Sequence, residues 1–266
     1  VFRHLEFCRQ CLWPELDVHL ISVTEQWAQF AIAGPNSRKL LEKVIDKKHD
    51  ISNERFPYMA CGEISICNGI PARLFRISFS GELAYEIAVP TRYGNSLFKV
   101  LLDVGKEFNA IPYGTEALGV MRVEKGHAAG NELTGQITAQ NLGLEKMMSS
   151  QKDFIGNTLS KRDGLNKDDK IILMGIKPIN KSISLNAGAH FISKNKKACT
   201  ENDEGWISSV AFSPILNHSI GLGFIKNGRN RIGEIIRAVD PLRGNEIEVE
   251  IVSPHFLDPE GKRLRE

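Results

Sequence analysis

The chain has 266 residues, 42% hydrophobic and 25% charged, a composition that excludes disorder and suits one large domain or two packed ones. Its 34 basic and 32 acidic residues leave a formal charge of +2, a balance that argues against a dedicated nucleic-acid binder. No window approaches the roughly 18 consecutive apolar residues of a membrane span.

Phe2, Leu5, Cys8 and Leu12 recur at helical spacing, so the first dozen residues read as an amphipathic helix ending before Pro14. Val1-Phe2-Arg3-His4 has no signal-peptide pattern, and a helix already under way at residue 1 leads us to expect upstream sequence. Two strands are expected next, Val18–Val23 and Trp27–Ala33, the second stopped by Gly34-Pro35. Asn36 or Ser37 is then placed to cap a helix running to Ile45.

Between Gly62 and Val89 the pattern turns to strands. Ile64 and Ile66 alternate with polar positions, Asn68-Gly69 suits a tight hairpin, and Ala72–Ser78 makes the return strand. A turn at Ser80-Gly81 leads into Ala84–Val89, which Pro90 ends. Tyr93–Phe108 reads as a helix, Tyr113-Gly114-Thr115 offers a cap for a further helix through about Lys125, and Gly126–Gly143, without periodicity, reads as a long ordered loop or a surface over a ligand. A short helix is expected at Phe154–Leu159. The charged run 161–170 marks the boundary between a first domain, 1–164, and a second, 165–266. Beyond it six short segments, Ile171–Ile176, Ala189–Ser193, Gly205–Phe212, Ser219–Ile225, Glu234–Val239 and Glu246–Val252, are spaced as in a small barrel or sandwich.

Several kinds of chemistry lack their pattern. Gly221-Leu222-Gly223 has no third glycine and no strand–turn–helix setting for a dinucleotide. There is no P-loop, no H-E-x-x-H and no G-x-S-x-G elbow. Cys8-x-x-Cys11 has no second Cys or His pair for zinc, and the odd count of five cysteines fits reduced, buried thiols in a cytoplasmic setting.

The informative block is Phe79-Ser80-Gly81-Glu82-Leu83-Ala84-Tyr85-Glu86-Ile87-Ala88-Val89-Pro90. Alternation puts Glu86 between Ala84 and Ala88 on one strand face, with Tyr85, Ile87 and Val89 on the other. Small neighbours leave room for a flat ligand, and a carboxylate there needs hydrogen-bond partners. The residues alone fit two readings: a structural Glu paired with Arg73, Arg76 or Arg122, which is the commoner arrangement, or a ligand-holding carboxylate.

This block resembles the family of folate-dependent aminomethyltransferases. The resemblance extends through Ala31, Gly34-Pro35 and Ser37, through Arg122-Glu124-Lys125-Gly126 and Gly130-Asn131-Glu132, and through Gly205-Trp206-Ile207-Ser208-Ser209 and Ser213-Pro214. Within the family, Ser22-Val23-Thr24-Glu25-Gln26-Trp27-Ala28, Tyr113–Arg122, Leu142–Met148 and Ser253–Gly261 are similar to the alpha-subunit branch of heterotetrameric sarcosine oxidases.

The resemblance implies an α+β chain, an aminomethyltransferase folate-binding fold followed by a small C-terminal β-barrel. It implies tetrahydrofolate as ligand, with Glu86 as the carboxylate that accepts the pterin N–H and amino group in parallel and Phe79 beside the pterin ring. The family's catalytic Asp falls upstream of residue 1. FAD, FMN and NAD are expected elsewhere in the complex, and the implied partners are the beta, gamma and delta subunits and the N-terminal part of alpha, with no nucleic acid and no membrane. One departure is Leu118, which stands where glycine-cleavage enzymes carry an Arg, so folate contacts are expected to be rearranged. The competing expectations are a free aminomethyltransferase of glycine cleavage and a scaffold that docks the flavin-bearing subunit.

Overall fold

The computed structural model describes residues 1–167 and 169–266; the charged run 161–170 therefore includes one residue, Asp168, outside the described set. By its internal contacts the chain forms two compact units. The first is Val1–Ile77 with Leu83–Ile111, and the second is Ser78–Glu82 with Pro112–Glu266.

In the first unit, α1 (Phe2–Phe7) runs on as a π-helical turn over Cys8–Leu12 and stops short of Pro14. The strand expected at Val18–Val23 is absent. That stretch is irregular and mostly exposed, and without a neighbour to pair its N–H and C=O groups an extended segment gains nothing as a strand. Strand β1 (Trp27–Ala33) follows, then α2 (Ser37–Glu42), shorter than the sequence suggested. Neither Asn36 nor Ser37 caps it through its side chain. Ser37 instead donates to the Leu83 carbonyl at 3.0 Å, and Ile45 leaves the helix to bridge Ile66.

β2 (Cys61–Ile66) and β3 (Ile70–Phe75) form the hairpin. Its turn holds Cys67, Asn68 and Gly69 all at positive φ, and the Asp46 carboxylate accepts the Asn68 and Gly69 N–H groups at 2.8 and 3.0 Å. β4 (Ala84–Pro90) and α3 (Gly94–Gly105) complete the unit. The sheet is antiparallel in the order β1-β4-β3-β2.

The two faces of this sheet differ because side chains alternate. Tyr85, Ile87 and Val89 of β4 and Leu74 of β3 are fully buried with Leu41, Leu97 and Leu101 of the helices, each such apolar side chain stabilising the fold by roughly 1.5–3 kcal/mol. The opposite face carries Trp27, Gln29 and Ala31, then Ala84, Glu86 and Ala88, then Arg73 and Phe75. Only Cys8 of the five thiols is buried; Cys11, Cys61 and Cys67 are exposed, Cys61 because it begins β2 opposite Phe75 and Cys67 because it sits in the hairpin turn.

In the second unit, α4 (Thr115–Lys125) ends at Gly126, whose φ of +78° suits glycine and where an added Cβ would lie 2.3 Å from the Pro254 carbonyl oxygen. A short α5 (Asn157–Ser160) follows. Six strands then close a barrel: β5 (Ile171–Pro178), β6 (His190–Ser193), β7 (Asp203–Ser213), β8 (His218–Lys226), β9 (Ile235–Asp240) and β10 (Asn245–Val252). Their order around the barrel is β10-β5-β8-β7-β6-β9. β10 shows why these residues make such a wall: Ile247, Val249 and Ile251 point into the core, while Glu246 and Glu250 face out to Arg237 and Lys177 at 2.8 and 3.0 Å. α4 lies on β7 and β8, with Val123 packed against Leu173, Ile220, Leu222 and Phe224. Among the described residues no helix is long and apolar enough to cross a membrane.

Candidate ligand site

Glu86 sits at the middle of β4, opposite Ala31 on one side and Phe75 on the other. Its neighbours along the strand, Ala84 and Ala88, carry only a methyl group, so the half-buried carboxylate rises from a low floor. The Gln29 side-chain amide on β1 donates to Glu86 Oε2. That bond fixes the carboxylate and leaves Oε1 without a partner among the described residues. The arginines considered from sequence are engaged otherwise. Arg73 lies over the Trp27 ring at 4.0 Å from its centroid, and Arg76 is 1% exposed and donates to the Phe56 carbonyl at 2.9 Å. Arg122 belongs to the second unit, where Glu132 is its partner.

The same sheet face borders a cavity of about 730 Å³. Phe2, Leu5, Trp27, Gln29, Arg73 and Phe75 contribute to its wall, with Ala88. The wall is therefore largely apolar, with one amide, one guanidinium and the hydroxyls of Ser22 and Thr24, the make-up of a surface for a flat molecule with a few polar edges.

Phe79 belongs to the second unit and is exposed. Its ring stacks on His127, centroids 5.9 Å apart and planes 21° apart, and His127 Nδ1 is 2.9 Å from the Phe79 carbonyl oxygen. The turn beneath it depends on Gly81, at φ +88°, where an added Cβ would come within 2.7 Å of the Lys125 side chain. Lys125 is anchored in turn by Asp258, donating to its carbonyl at 2.6 Å and its carboxylate at 3.1 Å.

Around His127 lies a polar cluster that the sequence did not single out as a site. Glu132 is fully buried. Its Oε1 accepts the Ser208 and Ser209 hydroxyls at 2.5 and 2.6 Å, and its Oε2 accepts Arg122 Nη1 at 3.0 Å and the Ala129 N–H at 2.9 Å. Arg122 also donates to Ser209 Oγ at 2.7 Å and to the His127 carbonyl at 3.3 Å. A buried ion pair closed by hydroxyls in this way orders the 126–143 loop against the barrel strand β7. The sequence signal was present in Arg122, Glu132 and Ser208-Ser209, but spread over nearly ninety positions. Glu124, also buried, accepts the Ser213 hydroxyl at 2.5 Å.

Comparison with known proteins gives this arrangement its family. A model of the GCVT N-terminal domain matches residues 1–152, and one of the glycine cleavage T-protein C-terminal barrel domain matches residues 173–258. The chain belongs to the glycine cleavage T-protein family. Its fold is the aminomethyltransferase fold with a closed six-stranded C-terminal barrel, an α+β chain as the sequence implied. Within that family it is 46% identical, over 99% of its length, to sarcosine oxidase subunit alpha of Rhizobium meliloti (strain 1021), and covers 27% of that protein. It is 28% identical over 93% of its length to the aminomethyltransferase of Thermoanaerobacter sp. (strain X514), covering 64% of it. The crystal structure of the glycine cleavage system aminomethyltransferase T from Bartonella henselae superposes with a TM-score of 0.71 at 21% identity, over 88% of this chain and 60% of that one. The chain thus spans about a quarter of the length of the sarcosine oxidase subunits it matches.

Proposed function

We propose that this chain is the folate-holding region of a sarcosine oxidase alpha-type subunit, and that Glu86 receives the pterin. The observation that carries the reading is the Glu86 carboxylate, rising between two alanines on an open sheet face and aimed by Gln29 with one oxygen unengaged. A carboxylate so held accepts an N–H and an adjacent amino group in parallel, the pattern a pterin edge presents. The neighbouring cavity wall, with Phe75 and Trp27, suits the flat remainder. Phe79, braced by His127, is the second residue we assign to the ring. The division into a folate-binding part, 1–164, and a barrel part, 165–266, goes with this reading.

When bound, tetrahydrofolate would take the methylene carbon of the imine left by oxidation of sarcosine, giving 5,10-methylenetetrahydrofolate and glycine. The chain's own part is to hold the acceptor amine in place and to keep bulk water, which would release formaldehyde, from the imine. Oxidation itself needs flavin, and FAD, FMN and NAD are assigned to the remainder of the complex, with the beta, gamma and delta subunits as partners in the cytoplasm. The catalytic carboxylate of the family is assigned to sequence before residue 1. The free aminomethyltransferase reading is weakened by Leu118 and by the gap between 46% and 28% identity.

Calorimetric titration with a stable 5-formyl reduced folate tests the proposal. Glu86→Ala is expected to weaken binding at least tenfold, as loss of a charge-assisted pair does, and Phe79→Ala by several-fold. Undiminished binding in Glu86→Ala sinks the assignment. A folded chain that binds no folate in any form would favour the scaffold role.

A further inference from the structure

Among the described residues Arg73 is the one charged side chain on the wall of the 730 Å³ cavity. Its guanidinium carbon lies over the Trp27 ring, 4.0 Å from the centroid, a cation–π contact that uses the aromatic face and spends none of the guanidinium's N–H donors. Among the described residues it makes no hydrogen bond and no ion pair. Glu63 is its register partner on β2 yet forms no ion pair with it. Lys48 and His49 share with Arg73, Trp27 and Glu63 a smaller neighbouring cavity of about 310 Å³. His49 Nε2 is taken there by the Ser65 N–H at 2.9 Å. A half-buried guanidinium pre-oriented on an aromatic ring, with its fork of donors unspent, is built to take a planar anion in two parallel bonds.

Position narrows the anion further. Phe75 is directly opposite Glu86, so Arg73, two residues along β3, is the diagonal neighbour of Glu86 on the same face. Diagonal pairs lie roughly 7–8 Å apart. An anion drawn to Arg73 is therefore repelled by Glu86 unless the ligand turns a donor edge toward that carboxylate. The cavity selects a ligand, or two adjacent ligands, with N–H donors at one end and a carboxylate at the other.

The geometry points to a carboxylate subsite at Arg73, beside the pterin position; this rests on the folate reading of Glu86. Two sources of that carboxylate fit the chemistry: the glutamate end of the folate itself, or the carboxylate of the amino acid whose imine meets the folate. Lysine would not do the same work, because an ammonium offers neither the fork nor the flat stacking face.

The test uses the whole chain and its Arg73→Gln and Arg73→Lys variants, checked for folding by circular dichroism. Each is titrated with 5-formyl reduced folate, with the analogue that ends at p-aminobenzoate, and with glycine, sarcosine or glutamate. Trp27 emission, assigned by subtracting a Trp27→Phe control, reports movement of the guanidinium. Arg73→Gln is expected to weaken one carboxylate source by roughly ten- to hundredfold, with partial rescue by Arg73→Lys. If the loss appears for the folate but not for its glutamate-free analogue, the carboxylate is the folate's own. If folate binding is kept while glycine or sarcosine binding falls, the amino acid is the source. Unaltered affinities and unaltered Trp27 emission overturn the subsite, even where Glu86→Ala abolishes folate binding. Should Glu86→Ala leave folate binding intact, the folate reading fails by itself, and the free glycine and glutamate titrations still decide on Arg73.

Discussion

On the sheet of the first unit, Glu86 is met by a single amide and Arg73 by a single aromatic face. In the second unit, Glu132 is enclosed by two hydroxyls, a guanidinium and a backbone N–H. Both units thus carry charged groups out of full contact with water, but Glu132 has both its oxygens engaged, whereas Glu86 and Arg73 keep bonding capacity unused. Buried charge is tolerated when every lone pair and proton is used, and it then orders what surrounds it. Charge left with spare bonding capacity on an open face does little for the fold and is available to a ligand. On the proposed reading, the same types of side chain serve structure in one unit and recognition in the other.

The largest expected effect breaks the satisfied cluster. Glu132→Ala leaves Arg122, whose side chain is 13% exposed, as an uncompensated charge, deprives the Ser209 hydroxyl of its acceptor and leaves Ser208 only the Leu222 carbonyl. A loss of about 3–5 kcal/mol is expected from removing one member of a buried pair, read by urea unfolding. A loss under about 1 kcal/mol would mean that water replaces the carboxylate without cost and that the contrast between the units is false.

The contrast also explains what could be read from the sequence. All six barrel strands were legible because each is a short segment set off by turn residues, and on β10 inward and outward residues also alternate, Ile247, Val249 and Ile251 against Glu246, Glu248 and Glu250. Glu86 was legible for the same reason, since alternation alone gives its face. Its partner was not: Gln29 lies 57 residues away on a strand that pairs with β4 only in the folded sheet. The 126–143 loop read as a long ordered loop or a surface over a ligand because it is polar and aperiodic, whereas Glu132 within it is wholly buried. Polarity in sequence reports hydrogen-bonding need and does not say whether water or protein meets it. Val18–Val23 failed in the opposite direction. Its residues suit a strand, but the strand needs a neighbour that this stretch lacks.

A smaller effect sharpens the open-face side of the comparison. Gln29→Ala removes the amide that aims Glu86 but leaves the carboxylate itself. Stability should change by no more than about 0.5 kcal/mol, as for most surface substitutions. Affinity for 5-formyl reduced folate should fall roughly two- to tenfold, the worth of one hydrogen bond, measured by calorimetry. A drop equal to that of Glu86→Ala would make Gln29 a ligand contact in its own right, and no drop would mean that Glu86 finds its orientation without help.

The smallest effect belongs to a pair that resembles neither extreme. Arg229 holds Glu145 through two bonds, 2.6 and 2.9 Å, and so ties the turn at Glu145–Met147 to the barrel. These bonds from Arg229 bring the Glu145 carboxyl from its ordinary 4.5 down to about 2. A carboxyl depressed in the folded state stabilises it fully above the ordinary value, and that contribution fades as pH falls from about 4.5 towards 2. Both side chains are more than a third exposed, 51% and 39%, so solvent screening holds the contribution to about 1 kcal/mol or less. Arg229→Gln should therefore lower stability slightly at pH 7 and flatten the acid limb of the stability–pH curve, with salt diminishing the difference. If the variant and the parent lose stability in parallel between pH 5 and pH 2, the pair is no more than a crossing of two solvated side chains.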